Sequence, residues 1–157
     1  KTEGHLDQSL FSRDILNEKN GPPPEINLFN EKNNGETILK LMDKKYIKSA
    51  HDVSLGGIIT ALSKMCIKGF KGVTLKKPSH LINQFEFLFG EDQGRYIIEI
   101  KKNDLKNITE ILEKNSVHYD ELGYVGGNDL IIDEKSKVSI DDLIKSHTKW
   151  LTNFMSK

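Results

Sequence analysis

A pair of glycines, Gly56-Gly57, separates two segments of different periodicity and constrains the fold of this chain more than any other feature. The segment before it, Ile47–Val53, is typical of a β-strand. The segment after it carries apolar residues at the three- and four-residue spacing of a helix. Glycine allows the backbone angles of a sharp turn. The sequence therefore predicts a strand, a tight turn and a helix in direct succession.

Similar patterns along the chain predict a mixed order of helices and strands. A helix is expected over Leu28–Lys45, and the alternating run RYIIEIK predicts a strand. Two strand-like runs flank Gly126-Gly127-Asn128, which indicates a hairpin. Ser139–Asp142 is a capping box that opens a last helix, with Leu143, His147, Leu151 and Phe154 expected to face inward. We expect an α/β (α+β) fold with one central mixed β-sheet and helices packed against it.

The length of 157 residues fits one domain, so we expect residues 1–157 to form a single domain. Within it, residues 20–27 contain three consecutive prolines, which favour an extended connector between two helices. The single cysteine, Cys66, falls in an apolar periodic run and is expected to be a buried hydrophobic residue. The chain begins at Lys1, which hints at a fragment of a longer protein.

The charge balance argues against some classes of partner. The chain has 23 basic and 23 acidic residues, whereas proteins that bind nucleic acid usually carry a basic excess. No apolar run approaches the length of about 18 residues that a membrane helix needs, and no signal-peptide pattern opens the chain. We expect a soluble, cytoplasmic protein that binds neither nucleic acid nor membrane.

The first candidate site is the glycine turn with its preceding side chains, HDVSLGG. The free N–H groups at a helix start attract anions, so Gly56 and Gly57 would form the cradle and His51, Asp52 and Ser54 would add side-chain contacts. The alternative is that Asp52 or Ser54 caps the helix and the glycines only permit the turn. No Gly-Lys-Ser/Thr follows, and the three side chains lie too close in sequence for a catalytic triad. The scattered histidines do not indicate a metal site.

The second candidate site is the loop FGEDQGR, which lies just before a predicted strand. Glu91, Asp92, Gln93 and Arg95 could hydrogen-bond a polar ligand. In the alternative interpretation, Glu91 or Asp92 pairs with Arg95 in an ordinary solvated turn.

Several motifs in one order resemble the end of the phosphoribosylformylglycinamidine synthase family. They are GHLDQSLFSRDI, GPPPEINL, AHDVSLGGIITALSKM, LFGEDQGRYIIEI, LGYVGG with DLII, and HTKWLTNFM. The resemblance spans nearly the whole chain, from Gly4 to Met155. It implies the fold of the C-terminal half of an aminoimidazole-ribonucleotide-synthetase-like unit.

In that family, ATP activates an amide oxygen of formylglycinamide ribonucleotide, and ammonia from a glutaminase then displaces phosphate to give the amidine. The resemblance thus implies a parent ATP-dependent C–N ligase of purine biosynthesis. Its ATP and Mg²⁺ sites would lie mainly in ATP-binding domains outside this chain, with no catalytic residue inside it. The implied partners are those ATP-binding domains, a glutaminase subunit, a small bridging subunit and the nucleotide substrate.

The resemblance also carries over to individual positions. Glu91-Asp92-Gln93 corresponds to a substrate-contacting Glu-Ser-Gln loop of the first family copy but departs from it at the middle position, Asp92. Leu55 stands where many relatives have Asp. Both departures suit a second copy with a structural or auxiliary nucleotide role. Two alternatives remain: another enzyme of the same superfamily, and a non-enzymatic module that recognises a phosphorylated ligand or a protein.

Overall fold

The computed structural model describes residues 1–80 and 83–156. Six α-helices, one short 3-10 helix (Lys102–Asp104) and six strands are found in this part of the chain. The helices are α1 (Leu10–Asp14), α2 (Leu28–Asp43), α3 (Gly57–Gly69), α4 (Gln84–Phe89), α5 (Leu105–Lys114) and α6 (Ile140–Met155). The strands are β1 (Ile47–Val53), β2 (Val73–Leu75), β3 (Arg95–Ile100), β4 (Gly123–Val125), β5 (Asp129–Ile132) and β6 (Ser136–Ser139). The predicted α/β class is confirmed.

The chain divides into two compact units. The first contains Lys1–Ala61 and Leu81–Asp120, and the second contains Leu62–His80 and Glu121–Lys157. The described strands pair in two sheets, one of two strands and one of four, where a single central sheet was expected. The four-stranded sheet is mixed, as predicted, because β2 and β5 are parallel and the other pairs are antiparallel.

In the first unit, helices cover the antiparallel pair of β1 and β3. Leu41 of α2 and Ile108 and Leu112 of α5 form a buried cluster. Ile98 and Ile100 of β3 pack against this cluster, as their alternation in the sequence suggested. The Asn27 side chain caps α2 by accepting a hydrogen bond from the Asn30 N–H. The proline-rich residues 20–27 form an irregular, mostly exposed segment between α1 and α2.

In the second unit, the predicted hairpin around Gly126-Gly127-Asn128 is wrong. The strand order is β4-β2-β5-β6, so β2 lies between the two strands that were expected to pair. Backbone hydrogen bonds from Gly72 N–H to the Gly127 carbonyl and from Gly126 N–H to the Gly72 carbonyl, both 2.8 Å, hold it there. The strand β6, which the sequence did not suggest, pairs with β5 instead. A turn signal is local in sequence, so it could not reveal that β2, about fifty residues earlier, lies between these two strands.

The last helix begins as predicted, but of the four residues expected to face inward only Leu143 is partly buried. The Ser139 hydroxyl accepts the Asp142 N–H at 3.1 Å, which confirms the capping box. However, His147 is exposed, and Leu151 and Phe154 are 58% and 64% exposed. The spacing correctly shows an apolar side on this helix, but spacing alone cannot show that something covers it.

Cys66 is buried in α3, as predicted. Burial raises the pKa of its thiol above the usual value, because the charged thiolate is poorly solvated there. The thiol therefore remains protonated at neutral pH and acts as a small apolar side chain.

None of the helices described is both long enough and apolar enough to span a membrane.

Candidate functional site

The pairing of β1 with β3 brings the two candidate sites together. The strands are antiparallel, so the end of β1 lies beside the start of β3, with Val53 opposite Arg95 and Asp52 opposite Tyr96. The glycine turn follows β1 directly, and the loop of residues 90–94 precedes β3. Two stretches about forty residues apart in sequence therefore become neighbours.

An open cleft of about 530 Å³ lies at this end of the strand pair. Four of the predicted site residues line it: Asp52, Ser54, Gln93 and Arg95. The other lining residues are Leu28, Glu31, Lys32, Val53, Gly94 and Tyr96. Asp52, Ser54 and Gln93 are exposed, so their oxygen and nitrogen atoms are available to a ligand. The cleft therefore offers carboxylate, hydroxyl and amide groups for hydrogen bonds to a polar molecule.

The contribution of α2 to the cleft was missed by the sequence reasoning. Glu31 and Lys32 lie in the first turns of α2, and the Asn34 amide donates a 2.9 Å hydrogen bond to the Gly94 carbonyl. This bond ties the helix to the loop before β3. The helix was predicted, but no spacing or motif connects it with a strand sixty residues later.

Glu91 does not line the cleft and binds the chain's own backbone. One of its carboxylate oxygens, Oε1, accepts hydrogen bonds of 2.8 Å from the N–H of Gly56 and from the N–H of Leu10. Gly56 precedes α3, and Leu10 is the first residue of α1. The carboxylate thus lies where the partial positive charge of helix starts is expected, which is favourable for an anion.

Asp92 is buried and accepts three consecutive backbone hydrogen bonds. Its Oδ2 accepts the N–H groups of Glu3 and Gly4 at 3.1 Å, and its Oδ1 accepts the N–H of His5 at 3.0 Å. Successive N–H groups that converge on one point form an anion-binding concavity. Here the chain's own carboxylate fills it.

Arg95 completes this network from the first position of β3. Its side chain is buried and donates hydrogen bonds to the carbonyls of Asp92 at 3.1 Å and Gly90 at 2.6 Å, and to the Thr2 hydroxyl at 3.2 Å. It also lies 3.5 Å from the Asp92 carboxylate. Burial lowers the pKa of the Arg95 guanidinium, while the Asp92 charge acts in the opposite direction. The group remains charged, since an arginine pKa starts far above neutrality.

The glycine turn makes a close approach, but to the protein's own backbone. Gly57 has a φ of +69°, and a Cβ added there would lie 2.6 Å from the Leu88 carbonyl oxygen. Gly56, with φ +81°, is also in the left-handed region. His51 is partly buried on β1, with its Nδ1 3.6 Å from the Asp52 carboxylate. Of the nine predicted residues, then, Asp52, Ser54, Gln93 and Arg95 line the cleft. The other five, His51, Gly56, Gly57, Glu91 and Asp92, do not line it.

Comparison with curated proteins gives close relatives of one kind. The chain is 83% identical over 155 residues to the phosphoribosylformylglycinamidine synthase subunit PurL of Pelagibacter ubique, covering 99% of this chain and 21% of the relative. It is 40% identical over 153 residues to the same subunit of Bartonella quintana, covering 98% and 21%. The chain spans about a fifth of the length of the curated relatives it matches.

Comparison with solved structures gives the same fold. A structure of Thermotoga maritima PurL complexed with FGAR matches with a TM-score of 0.71 at 21% identity, over 85% of this chain and 24% of that one. A structure of PurLQS from T. maritima matches with a TM-score of 0.67 at 22% identity, over the same shares. At this identity the likeness shows the fold alone.

The family described as "AIR synthase related protein, C-terminal domain" matches residues 7–134. This range includes β1, the glycine turn, the loop of residues 90–94 and β3, all of which build the cleft. The match also extends over most of the chain. The chain therefore belongs to the AIR synthase related protein, C-terminal domain family.

Proposed function

We propose that this chain is the last domain of a phosphoribosylformylglycinamidine synthase. That enzyme converts formylglycinamide ribonucleotide and glutamine-derived ammonia to formylglycinamidine ribonucleotide with the use of ATP. The observation that carries the proposal is the 83% identity with the P. ubique subunit over 99% of the chain. Because the chain spans a fifth of that relative, the activity belongs to a longer polypeptide and the chain by itself is inactive.

Within that enzyme, we propose that the cleft contacts the polar part of a nucleotide ligand. Asp52, Ser54 and Gln93 provide exposed hydrogen-bonding groups on one wall. The other predicted residues stabilise that wall: His51, Gly56, Gly57, Glu91, Asp92 and Arg95. The domain supplies binding groups, and the residues that act on the reacting atoms lie elsewhere in the parent polypeptide.

ATP and Mg²⁺ do not fit the glycine turn itself. A phosphate group at this turn would need the Gly56 N–H, which already donates to Glu91. The anionic Glu91 carboxylate would also repel a phosphate. We therefore derive no step through ATP or Mg²⁺ at this turn. Solved structures of T. maritima PurL complexed with ATP and with AMPPCP share the fold, which supports an ATP site in the parent enzyme.

The proposed partners are the ATP-binding domains of the parent polypeptide, a glutaminase subunit and a small bridging subunit. The T. maritima PurLQS structure supports an assembly of this kind. The cytoplasm is the proposed location, which the likeness to the curated PurL subunits supports.

The test compares the isolated chain with the full-length polypeptide that carries it. Each is supplied with formylglycinamide ribonucleotide, ATP, Mg²⁺ and ammonia, and amidine formation is measured. We expect turnover by the full-length protein and none by the chain alone. Absence of turnover in a folded full-length protein, or turnover by the isolated chain, would contradict the proposal.

The role of the cleft is tested by Gln93→Ala in the full-length protein. Loss of one ligand hydrogen bond is expected to raise KM about tenfold, with kcat changed less. Glu110→Gln, on the exposed side of α5, is the matched control and is expected to leave both constants unchanged. An unchanged KM in Gln93→Ala would remove this residue from the site.

A further inference from the structure

We propose that Glu91 and Asp92 act as internal anions that lock the N-terminal segment, residues 3–10, onto the glycine turn. In the sequence these two carboxylates resemble ligand-binding groups. In the fold, both accept hydrogen bonds from backbone N–H groups of the chain itself. They are positioning residues, and they shape the cleft without contacting its ligand.

The lock at Glu91 joins three segments that are distant in sequence. Its Oε1 bridges the Leu10 N–H and the Gly56 N–H, each at 2.8 Å, while its own backbone N–H donates to the His5 carbonyl at 2.9 Å. A hydrogen bond to a charged acceptor is stronger than a neutral one. The Glu91 carboxylate thus already accepts the hydrogen bond from the Gly56 N–H, which an external anion would need at this turn.

The lock at Asp92 is the deeper of the two. Its carboxylate accepts the N–H groups of Glu3, Gly4 and His5, and Arg95 neutralises its charge from 3.5 Å. Arg95 also donates a hydrogen bond to the hydroxyl of Thr2, the residue just before this segment. Since Arg95 begins β3 beside Val53, the same network fixes the end of the strand pair that lines the cleft.

The test measures hydrogen–deuterium exchange at single residues in the full-length polypeptide, so it does not depend on enzyme activity. In Glu91→Ala, exchange at the N–H of Leu10 and Gly56 is expected to rise about 10- to 100-fold, with little change at distant positions. In Glu91→Gln the amide oxygen still accepts a hydrogen bond, so protection is expected to return in large part. Asp92→Ala, which removes both acceptor oxygens, is expected to release the N–H groups of residues 3–5.

Glu110→Gln and Asp43→Asn are matched controls, since both residues are exposed in the same unit. They are expected to leave exchange at residues 3–5, 10 and 56 unchanged. Unchanged protection at Leu10 and Gly56 in Glu91→Ala would overturn the proposal. So would slower exchange of these two N–H groups when inorganic phosphate is added to the unmodified protein, because that would show a turn open to external anions. These outcomes do not depend on the proposed enzyme activity, so they can be interpreted even when that activity is not found.

Discussion

The loop of residues 90–95 and the C-terminal half of α6 differ in how far their side chains are buried. The loop is polar and resembles an exposed ligand-binding turn, yet Asp92 and Arg95 are each only 8% exposed. The helix is apolar along one side, yet Trp150 and Phe154 are 68% and 64% exposed. These two rings stack on each other with centroids 5.5 Å apart.

The difference shows that residue type and burial are separate properties. A charged loop can be buried when each charge receives several hydrogen bonds, as Asp92 and Arg95 do. An apolar helix face remains exposed unless another element packs on it. We therefore expect substitutions in the polar loop to cost more stability than substitutions at the end of the apolar helix.

The largest effect is expected for Gly57→Val, next to the loop. The φ of +69° is unfavourable for a β-branched residue, and the new Cβ would collide with the Leu88 carbonyl at 2.6 Å. We expect a loss of more than about 4 kcal/mol in the free energy of unfolding, measured by chemical denaturation. Gly69→Ala, at the other end of α3, is the control, because an added Cβ there meets nothing within 4 Å. Equal stability of the two variants would show that the turn is not tightly packed.

Arg95→Lys is expected to cost about 3 kcal/mol, because lysine cannot reach the carbonyls of Gly90 and Asp92 and the Thr2 hydroxyl at once. Denaturation curves monitored by circular dichroism would measure the loss. Arg13→Lys is the control, since Arg13 is exposed and its side chain pairs with its neighbour Asp14. If Arg95→Lys were as stable as this control, the buried network would contribute little.

Thr37→Val is expected to stabilise the protein by about 1 kcal/mol. The Thr37 side chain is fully buried in α2, and its hydroxyl has no hydrogen-bond partner among the described residues. Replacing a buried, unpaired hydroxyl with a methyl group removes a desolvation cost. Thr109→Val, whose hydroxyl donates to the Lys106 carbonyl, is the comparison and is not expected to stabilise. A loss of stability in Thr37→Val would indicate a partner for this hydroxyl.

The smallest effect is expected for Phe154→Ala, at the end of α6. A side chain that is 64% exposed buries little area, so the free energy of unfolding should change by no more than about 0.5 kcal/mol. Leu130→Ala, in β5 of the same unit, is the buried control and should cost about 3 kcal/mol. A large loss in Phe154→Ala would show that the aromatic end of α6 is covered in solution, and the contrast with the polar loop would disappear.

The elements that depend on neighbours in sequence were predicted well. The strand Ile47–Val53 matches its predicted bounds, α3 begins at the second glycine, and the capping box opens α6. The cleft was predicted only in part. Asp52, Ser54, Gln93 and Arg95 were named, but Glu31, Lys32 and Tyr96 were not. These residues reach the cleft through the position of α2 and through strand pairing, and neither leaves a local pattern in the sequence.

By itself, the sequence determined the local conformations and the family. Periodicity, capping residues and glycines act over a few residues, so they can be read without knowing what surrounds them. Only the tertiary structure decided which hydrogen-bond partners each polar group has. Glu91 could serve an external ligand or the chain's own N–H groups, and only the folded backbone brings Leu10 and Gly56 within 2.8 Å of it. Hydrogen bonding requires partners at short distance, and the partners of the Glu91 and Asp92 carboxylates, in residues 3–10 and at Gly56, are distant from them in sequence.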